Sequence, residues 1–408
     1  MEIRPRLGDR SLFPELRARA YLNHAAISPP SLAVRRAADE VLDSYALEGV
    51  GAAMRWAEQR SVLRADLATL IGAGPEDIGL VANTTAGVIA VALCRPWRAG
   101  ASIVVFDGEF PTNVTPWQQA AGTFDLALHR LPLAGFSDGS GDGLARVEAL
   151  LRGGGVRLVA VSAVQFQTGL HMPLQALASL AHAHDAELFV DGIQAVGALP
   201  LDVAALGIDY LSCGGHKWLM GLEGCGFLYV APHRVKALIP RIAGWLSHVD
   251  PLGFLFEGPG QLRYDRPVRA RADFVEAGAP NTLGLAALQA SVGLLQQLGV
   301  PTIQAHVQAY HDVLEPALIA RGFASLRAPD PAARSSILSA RPPEGLTDQQ
   351  VVAHLAAHGV AVTNPDGIVR FSPHWPNGLH ELEIVLEALD TLPHAAGPTR
   401  SPTEPPGG

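Results

Sequence analysis

Two charged residues stand where apolar runs end, a lysine and an aspartate twenty-six positions apart. Glu187-Leu-Phe-Val-Asp191-Gly-Ile-Gln194 closes one run with a carboxylate, and Gly214-Gly215-His216-Lys217 closes the next with an amine. A partly desolvated lysine gives up its proton readily and becomes a nucleophile toward a carbonyl. A carboxylate held nearby can keep a heteroaromatic nitrogen protonated. Taken singly, Lys217 reads as a solvated charge and Asp191 as a turn or capping residue. Their spacing, with Gln194 between them, favours a shared site.

Such a site needs elements that bring both ends together. Ile78–Val81, Ser102–Phe106, Val156–Ser162, Leu188–Val190, Tyr210–Cys213 and Gly226–Val230 are short, continuously apolar runs separated by helical stretches. This alternation predicts an α/β fold whose mainly parallel sheet is buried on both faces. Ligands of such sheets bind beyond the strands' carboxyl ends, where Asp191 and Lys217 are expected. Ser31 caps a predicted helix with apolar positions at Val34, Ala37, Ala38, Val41, Leu42 and Tyr45. Beyond Asn281 the pattern becomes that of a smaller α+β domain: helices at 284–298, 301–321 and 348–358, strands near Ser335–Ser339 and Val369–Ser372, and a last helix to Leu392. The expected division is a 1–20 segment packing on the small domain, a large domain over 21–280, a small C-terminal domain over 281–392 and a disordered tail over 393–408, rich in Pro, Gly, Ser and Thr.

Asn83-Thr84-Thr85-Ala86-Gly87 lies where the first run turns into a helix, and backbone N–H groups at a helix start with two hydroxyls resemble a phosphate cup. An amine for an aldehyde, a carboxylate for a ring nitrogen and a cup for a phosphate are together the needs of pyridoxal 5′-phosphate (PLP). Helix capping by Thr84 and Thr85 is compatible with that role.

Composition narrows the partners. The net charge of −9 is spread along 408 residues and no cluster of Lys and Arg offers a footprint for nucleic acid. The longest apolar runs, such as Leu158–Val164, are far below membrane-spanning length, and Met1–Arg10 lacks the apolar stretch of a secretory signal. Cys94, Cys213 and Cys225 form no paired framework. The expectation is a cytoplasmic protein with a small-molecule partner and no nucleic-acid or membrane partner. His354 and His358 stand four apart without a third ligand, so no metal site is expected there, and they read as a solvated helix face, as do His182 and His184. Gly153-Gly154-Gly155 precedes a strand and reads as a flexible linker.

Seven stretches in order, YLNHAA (Tyr21–Ala26), NTTAG (Asn83–Gly87), GEFPTNVTPW (Gly108–Trp117), FVDGIQAVG (Phe189–Gly197), GGHKW (Gly214–Trp218), EAGAPNT (Glu276–Thr282) and VRFSPHWPN (Val369–Asn377), span nearly the whole chain. By them the chain resembles the class V aminotransferase family of fold type I PLP enzymes, which includes cysteine desulfurases, kynureninases and isopenicillin N epimerases. The resemblance implies Lys217 as the Schiff-base lysine, Asp191 as partner of the pyridine nitrogen and Gln194 near the phenolic oxygen. It implies Thr84, Thr85 and His216 on the phosphate, Phe110 stacked on the ring, Arg370 on the substrate carboxylate, and Asn23 and His24 at the substrate entrance. Thr282 would reach a neighbouring subunit's cofactor, which implies a homodimer with shared sites.

Two departures qualify the match. Ala279 stands where the family has a threonine, and residues 340–380 contain no cysteine, which disfavours a persulfide-forming desulfurase. An enzyme acting on an amino acid through a carbanion is implied, of aminotransferase or C–S lyase type; an epimerase and a non-catalytic binding protein of the same fold stay as alternatives.

Overall fold

The structure, a computed structural model, describes residues 4–393. The expected tail lies outside them except for its first residue. In chain order the first half comprises β1 (Ala20–Tyr21), α1 (Leu32–Glu48), α2 (Ala53–Ile71), β2 (Ile78–Val81), α3 (Thr84–Cys94), β3 (Ser102–Phe106), α4 (Thr115–Phe124), β4 (Ala127–Leu131), α5 (Asp142–Arg152), β5 (Val156–Ser162), α6 (Leu174–Ala183), β6 (Glu187–Asp191), β7 (Tyr210–Gly214) and β8 (Gly226–Val230). Then follow the short α7 (Pro232–Val235) and α8 (Gly253–Phe256), α9 (Thr282–Leu298), α10 (Val300–Ala320), β9 (Ala324–Ser325), β10 (Leu338–Arg341), α11 (Asp348–Ala357), β11 (Val360–Ala361), β12 (Val369–Phe371) and α12 (Glu381–Asp390).

Seven strands form one sheet in the order β2-β8-β7-β6-β5-β3-β4, and only β8 runs against the others. The chain is therefore an α/β protein with a mainly parallel sheet. Strands β3, β7 and β8 are buried at every residue, as continuous apolar runs covered on both faces require. A smaller α+β unit follows, with the antiparallel sheet β12-β10-β9 and its own core of Tyr310, Leu314, Leu338, Leu355, Phe371 and Leu382. Ala20 and Leu22 join that core, and β1 pairs in parallel with β11. Helix α9 instead packs along α1 and α2 and lends Leu285, Leu288 and Val292 to the large core.

Local structure departs from the expected pattern in several places. The Ser31 hydroxyl caps α1 by accepting from the Val34 N–H at 3.3 Å, but its buried residues are Val34, Val41 and Ser44, while Leu42 and Tyr45 face outward. Strand β4 has a broken apolar pattern because it is an exposed edge. His182 is bound to buried Asp209 at 2.8 Å, and His354 reaches the Ala388 carbonyl of α12 at 2.9 Å, so both knit elements together rather than face water. Gly154 and Gly155, at φ +77° and +83°, make a tight turn from α5 into β5.

Candidate active site

Register carries Asp191 to its place. It ends β6 between Ser162 of β5 and Ser212 of β7, at the carboxyl edge of the sheet. The side chain is 2 % exposed and accepts the Ile193 N–H at 3.0 Å. Burial raises its pKa to about 6, and the nearby Lys217 charge opposes that rise.

Lys217 leaves β7 three residues past Gly214. Burial and the Arg370 charge lower its pKa to about 8, while Asp191 acts in the opposite direction. An amine so poised is uncharged far more often near neutrality than an ordinary lysine, and hence nucleophilic. It is one of only two lysines in the chain, the other being exposed Lys236. Its Nζ lies 5.6 Å from the centroid of the Phe110 ring, which meets Phe166 edge to face at 5.3 Å.

Helix α3 opens beside them. Asn83 caps it by accepting the Ala86 N–H at 2.9 Å, and the Thr84 hydroxyl accepts the Gly214 N–H at 2.9 Å. This bond ties the helix start to the lysine loop. Gly87 lets α3 approach β7, since a Cβ there would fall 2.1 Å from Ser212 Oγ. Thr85 pairs its hydroxyl with that of Thr112 at 2.8 Å, and His216 follows Gly215, its pKa lowered by burial and Lys217.

From the smaller sheet, Arg370 of β12 points back toward the lysine. It is 4 % exposed, donates from Nη1 to the Phe166 carbonyl at 2.7 Å, and keeps a buried Nε without a partner. Burial lowers its pKa to about 10. Asn23, beside Ser372 in an isolated bridge, likewise holds a buried Oδ1 without a partner. Polar atoms buried unpaired are costly, and the Arg370 charge is close enough to the Lys217 amine to lower its pKa.

The remaining expected residues stand differently. Gln194 is held by two bonds, donating to the Ala25 carbonyl at 3.0 Å and accepting the Trp218 indole N–H at 2.8 Å. His24 is 2 % exposed, bonded to Ser28 Oγ at 2.7 Å and packed against the Tyr21 and His374 rings, so it is buried rather than open at an entrance. Thr282 starts α9 behind its Asn281 cap, in a segment that lines a cavity of about 450 Å³ with Leu80, Ala86 and Ala90.

One carboxyl escaped the sequence reading. Glu109 accepts the Ser162 N–H at 2.7 Å, the Ser162 hydroxyl and the Gln165 amide at 3.1 Å. Burial first, then Asp191, raises its pKa to about 7. Its only signal was its place before Phe110. The three cysteines are all buried, and burial raises each thiol's pKa.

The donor set, a depressed amine, a buried carboxylate, an aromatic face and a helix start with hydroxyls, fits PLP. A family model described as aminotransferase class-V matches residues 20–368. A cysteine desulfurase of Dickeya dadantii (strain 3937) is 35 % identical over 295 residues, 70 % of this chain and 68 % of that protein. An uncharacterized aminotransferase of Bacillus subtilis (strain 168), YcbU, is 27 % identical over 305 residues, 73 % and 75 % of the two chains. The fold is also that of the cystine C–S lyase C-DES solved with its product cysteine persulfide, at TM-score 0.84 and 23 % identity over 93 % of this chain and 99 % of that one. It is likewise that of an apo cysteine desulfurase from Thermococcus onnurineus NA1, at TM-score 0.79 and 24 % identity over 91 % and 94 %. With the family match running through the lysine loop, the helix start and most of both lobes, the chain belongs to the aminotransferase class-V family of PLP-dependent enzymes.

Proposed function

We propose that the enzyme breaks the C–S bond of a small sulfur-containing amino acid without passing sulfur to a cysteine of its own. The single observation that carries this reading is the convergence of the depressed Lys217 amine with Asp191 and the half-partnered Arg370 in a chain whose thiols are all buried. The cysteine desulfurase relatives support a sulfur amino acid as substrate. Aminotransfer is the second reading, supported by the relative described as an aminotransferase.

PLP supplies the electron sink that accepts the pair left when a bond to the substrate's α-carbon breaks. Arg370 binds the substrate carboxylate through its planar guanidinium, which fixes the α-carbon relative to Lys217. The Lys217 amine would take the α-proton, and the sulfur would leave the β-carbon with the C–S bond pair as a thiolate or persulfide anion. Asp191 would hold a proton on the ring nitrogen, Phe110 would cover the ring, and Thr84, Thr85 and His216 would bind the phosphate at the start of α3. Gln194, bonded to the Ala25 carbonyl and the Trp218 indole, would approach the phenolic oxygen, and Asn23 would line the substrate entrance.

The working unit in this proposal is a cytoplasmic homodimer with shared sites. Exposed Leu42, Leu47, Val50 and Met54 around the α1–α2 connection support a covered face, and Thr282 would act on the partner's phosphate despite Ala279. No single described helix is long and apolar enough to cross a membrane; α9 and α10 pass together only as a pair bent by 77°. The proposed division at residue 280 makes α9 the link between the lobes.

The test begins with an absorption spectrum of the purified chain. A visible band that borohydride bleaches and that Lys217→Ala abolishes is expected, and a colourless protein that cannot be loaded with PLP would refute the reading. Incubation with cystine, cysteine conjugates and other amino acids then separates outcomes by mass spectrometry. Pyruvate with ammonia selects the lyase, a keto acid with an aminated cofactor selects aminotransfer, and an inverted amino acid selects epimerisation.

A further inference from the structure

Three consecutive backbone carbonyls flank and include the reactive lysine, and each is held by a residue from outside the large sheet. The Ser28 N–H donates to the His216 carbonyl at 2.8 Å, the Ser28 hydroxyl donates to the Lys217 carbonyl at 2.7 Å, and His374 Nε2 meets the Trp218 carbonyl at 2.8 Å. Ser28 belongs to the opening segment just after β1. His374 lies just beyond β12 of the smaller sheet. The two lobes thus grip the loop that carries the amine.

Hydrogen-bond bookkeeping fixes the proton positions. A carbonyl only accepts, so His374 must carry its proton on Nε2, which leaves the partnerless Nδ1 as a bare acceptor. Burial pushes its pKa down to about 4, so it is neutral at ordinary pH. Because the Ser28 hydroxyl spends its proton on Lys217, it must accept from His24 Nδ1, whose ring is also neutral because burial lowers its pKa. The result is a one-way chain, His24 to Ser28 to the Lys217 carbonyl, in which each bond polarises the next. The rings close ranks, with His374 edge-on to both His24 and Trp218 at 5.4 Å. Gly197 lies directly under the loop: a Cβ there would fall 2.6 Å from the Trp218 carbonyl.

We propose that Ser28, His24 and His374 are positioning residues that clamp the lysine loop and fix the direction in which the Lys217 side chain enters the site. This rests on the reading of Lys217 as the amine that holds PLP. None of the three needs to touch the reacting atoms. Losing a clamp bond lets the loop turn Lys217 away from Arg370 and toward solvent, while its other charged neighbour Asp191 stays in place.

The chain's lysine count makes the test clean. Full-length protein without PLP is acetylated over a range of pH with a limiting amine reagent, and mass spectrometry reads Lys217 against exposed Lys236 as the internal reference. In Ser28→Ala and His374→Phe the Lys217 titration is expected to move toward that of Lys236 by about half a pH unit, about threefold in relative rate at fixed pH. His374→Gln, which keeps a donor at similar reach, should restore most of the wild-type profile. The PLP-loaded chains provide a second readout, since the midpoint of the visible-band titration should shift in the same two variants and not in the glutamine variant. A role in packing alone would lower Tm while leaving both titrations unmoved, and that result overturns the proposal. If His374→Phe does not fold, Ser28→Ala decides by itself. A wild-type chain that takes up no PLP refutes the cofactor reading instead, and the acetylation profiles still judge the clamp.

Discussion

Glu109 and Asp191 are two carboxyls that folding makes harder to ionise, and Glu109 carries the higher pKa. Its rise from 4.5 to about 7 means the folded chain holds a proton that the unfolded chain releases across that window. Stability therefore falls as pH rises through it, by on the order of 3 kcal/mol for this group. Lys217 has the opposite sign, because its lowered pKa makes stability rise from about pH 8 toward 10.5. Urea unfolding of the PLP-free chain at pH 5 and pH 7.5 should show a much smaller drop in Glu109→Gln than in wild type; equal drops would contradict the assignment. At the other side of the site, Arg370→Lys keeps the charge and loses the planar fork. KM for the amino acid should rise roughly 10- to 100-fold with folding intact, measured by steady-state kinetics, and an unchanged KM would remove Arg370 from carboxylate binding. Lys217 and Asp191 were legible in the sequence because each ends an apolar run. Glu109 and His374 were not, because their meaning lies in partners more than fifty and one hundred and fifty residues away.

At the scale of elements, the site depends on how closely α3 can lie on the sheet. Gly87→Ala drives a methyl into Ser212 Oγ, the group that donates to the Thr84 carbonyl at 2.9 Å. The expected cost is about 1–3 kcal/mol by thermal or denaturant unfolding, with weaker PLP retention, and a variant of unchanged stability and retention would show that the contact is slack. The central strands were readable because burial on both faces demands unbroken apolar runs. Strand β4, Ala-Leu-His-Arg-Leu, was missed because an edge strand carries polar side chains without loss. The apolar face of α1 was misread since Leu42 and Tyr45 satisfy a helical period but point away from this chain's own core.

For the whole molecule, that outward face bears on assembly. Light scattering should give twice the 42.9 kDa chain mass, and the double variant Leu47→Glu with Val50→Glu should give the single mass with reduced turnover, since a shared site is incomplete in one copy. A wild-type monomer with full turnover would end the dimer proposal. The change of pattern near Asn281 assigns α9 to a small domain, whereas the helix packs on α1 and α2, because an apolar helix does not announce which core it serves.

The pairing of Ala20–Tyr21 with Val360–Ala361 also orders events during synthesis. The first strand has its partner far later in the chain, so the large sheet can assemble while β1 waits. His374 emerges later still. The hold of His374 on the Trp218 carbonyl therefore forms after those of Ser28, and the grip on the lysine loop is completed only once the smaller sheet has been made.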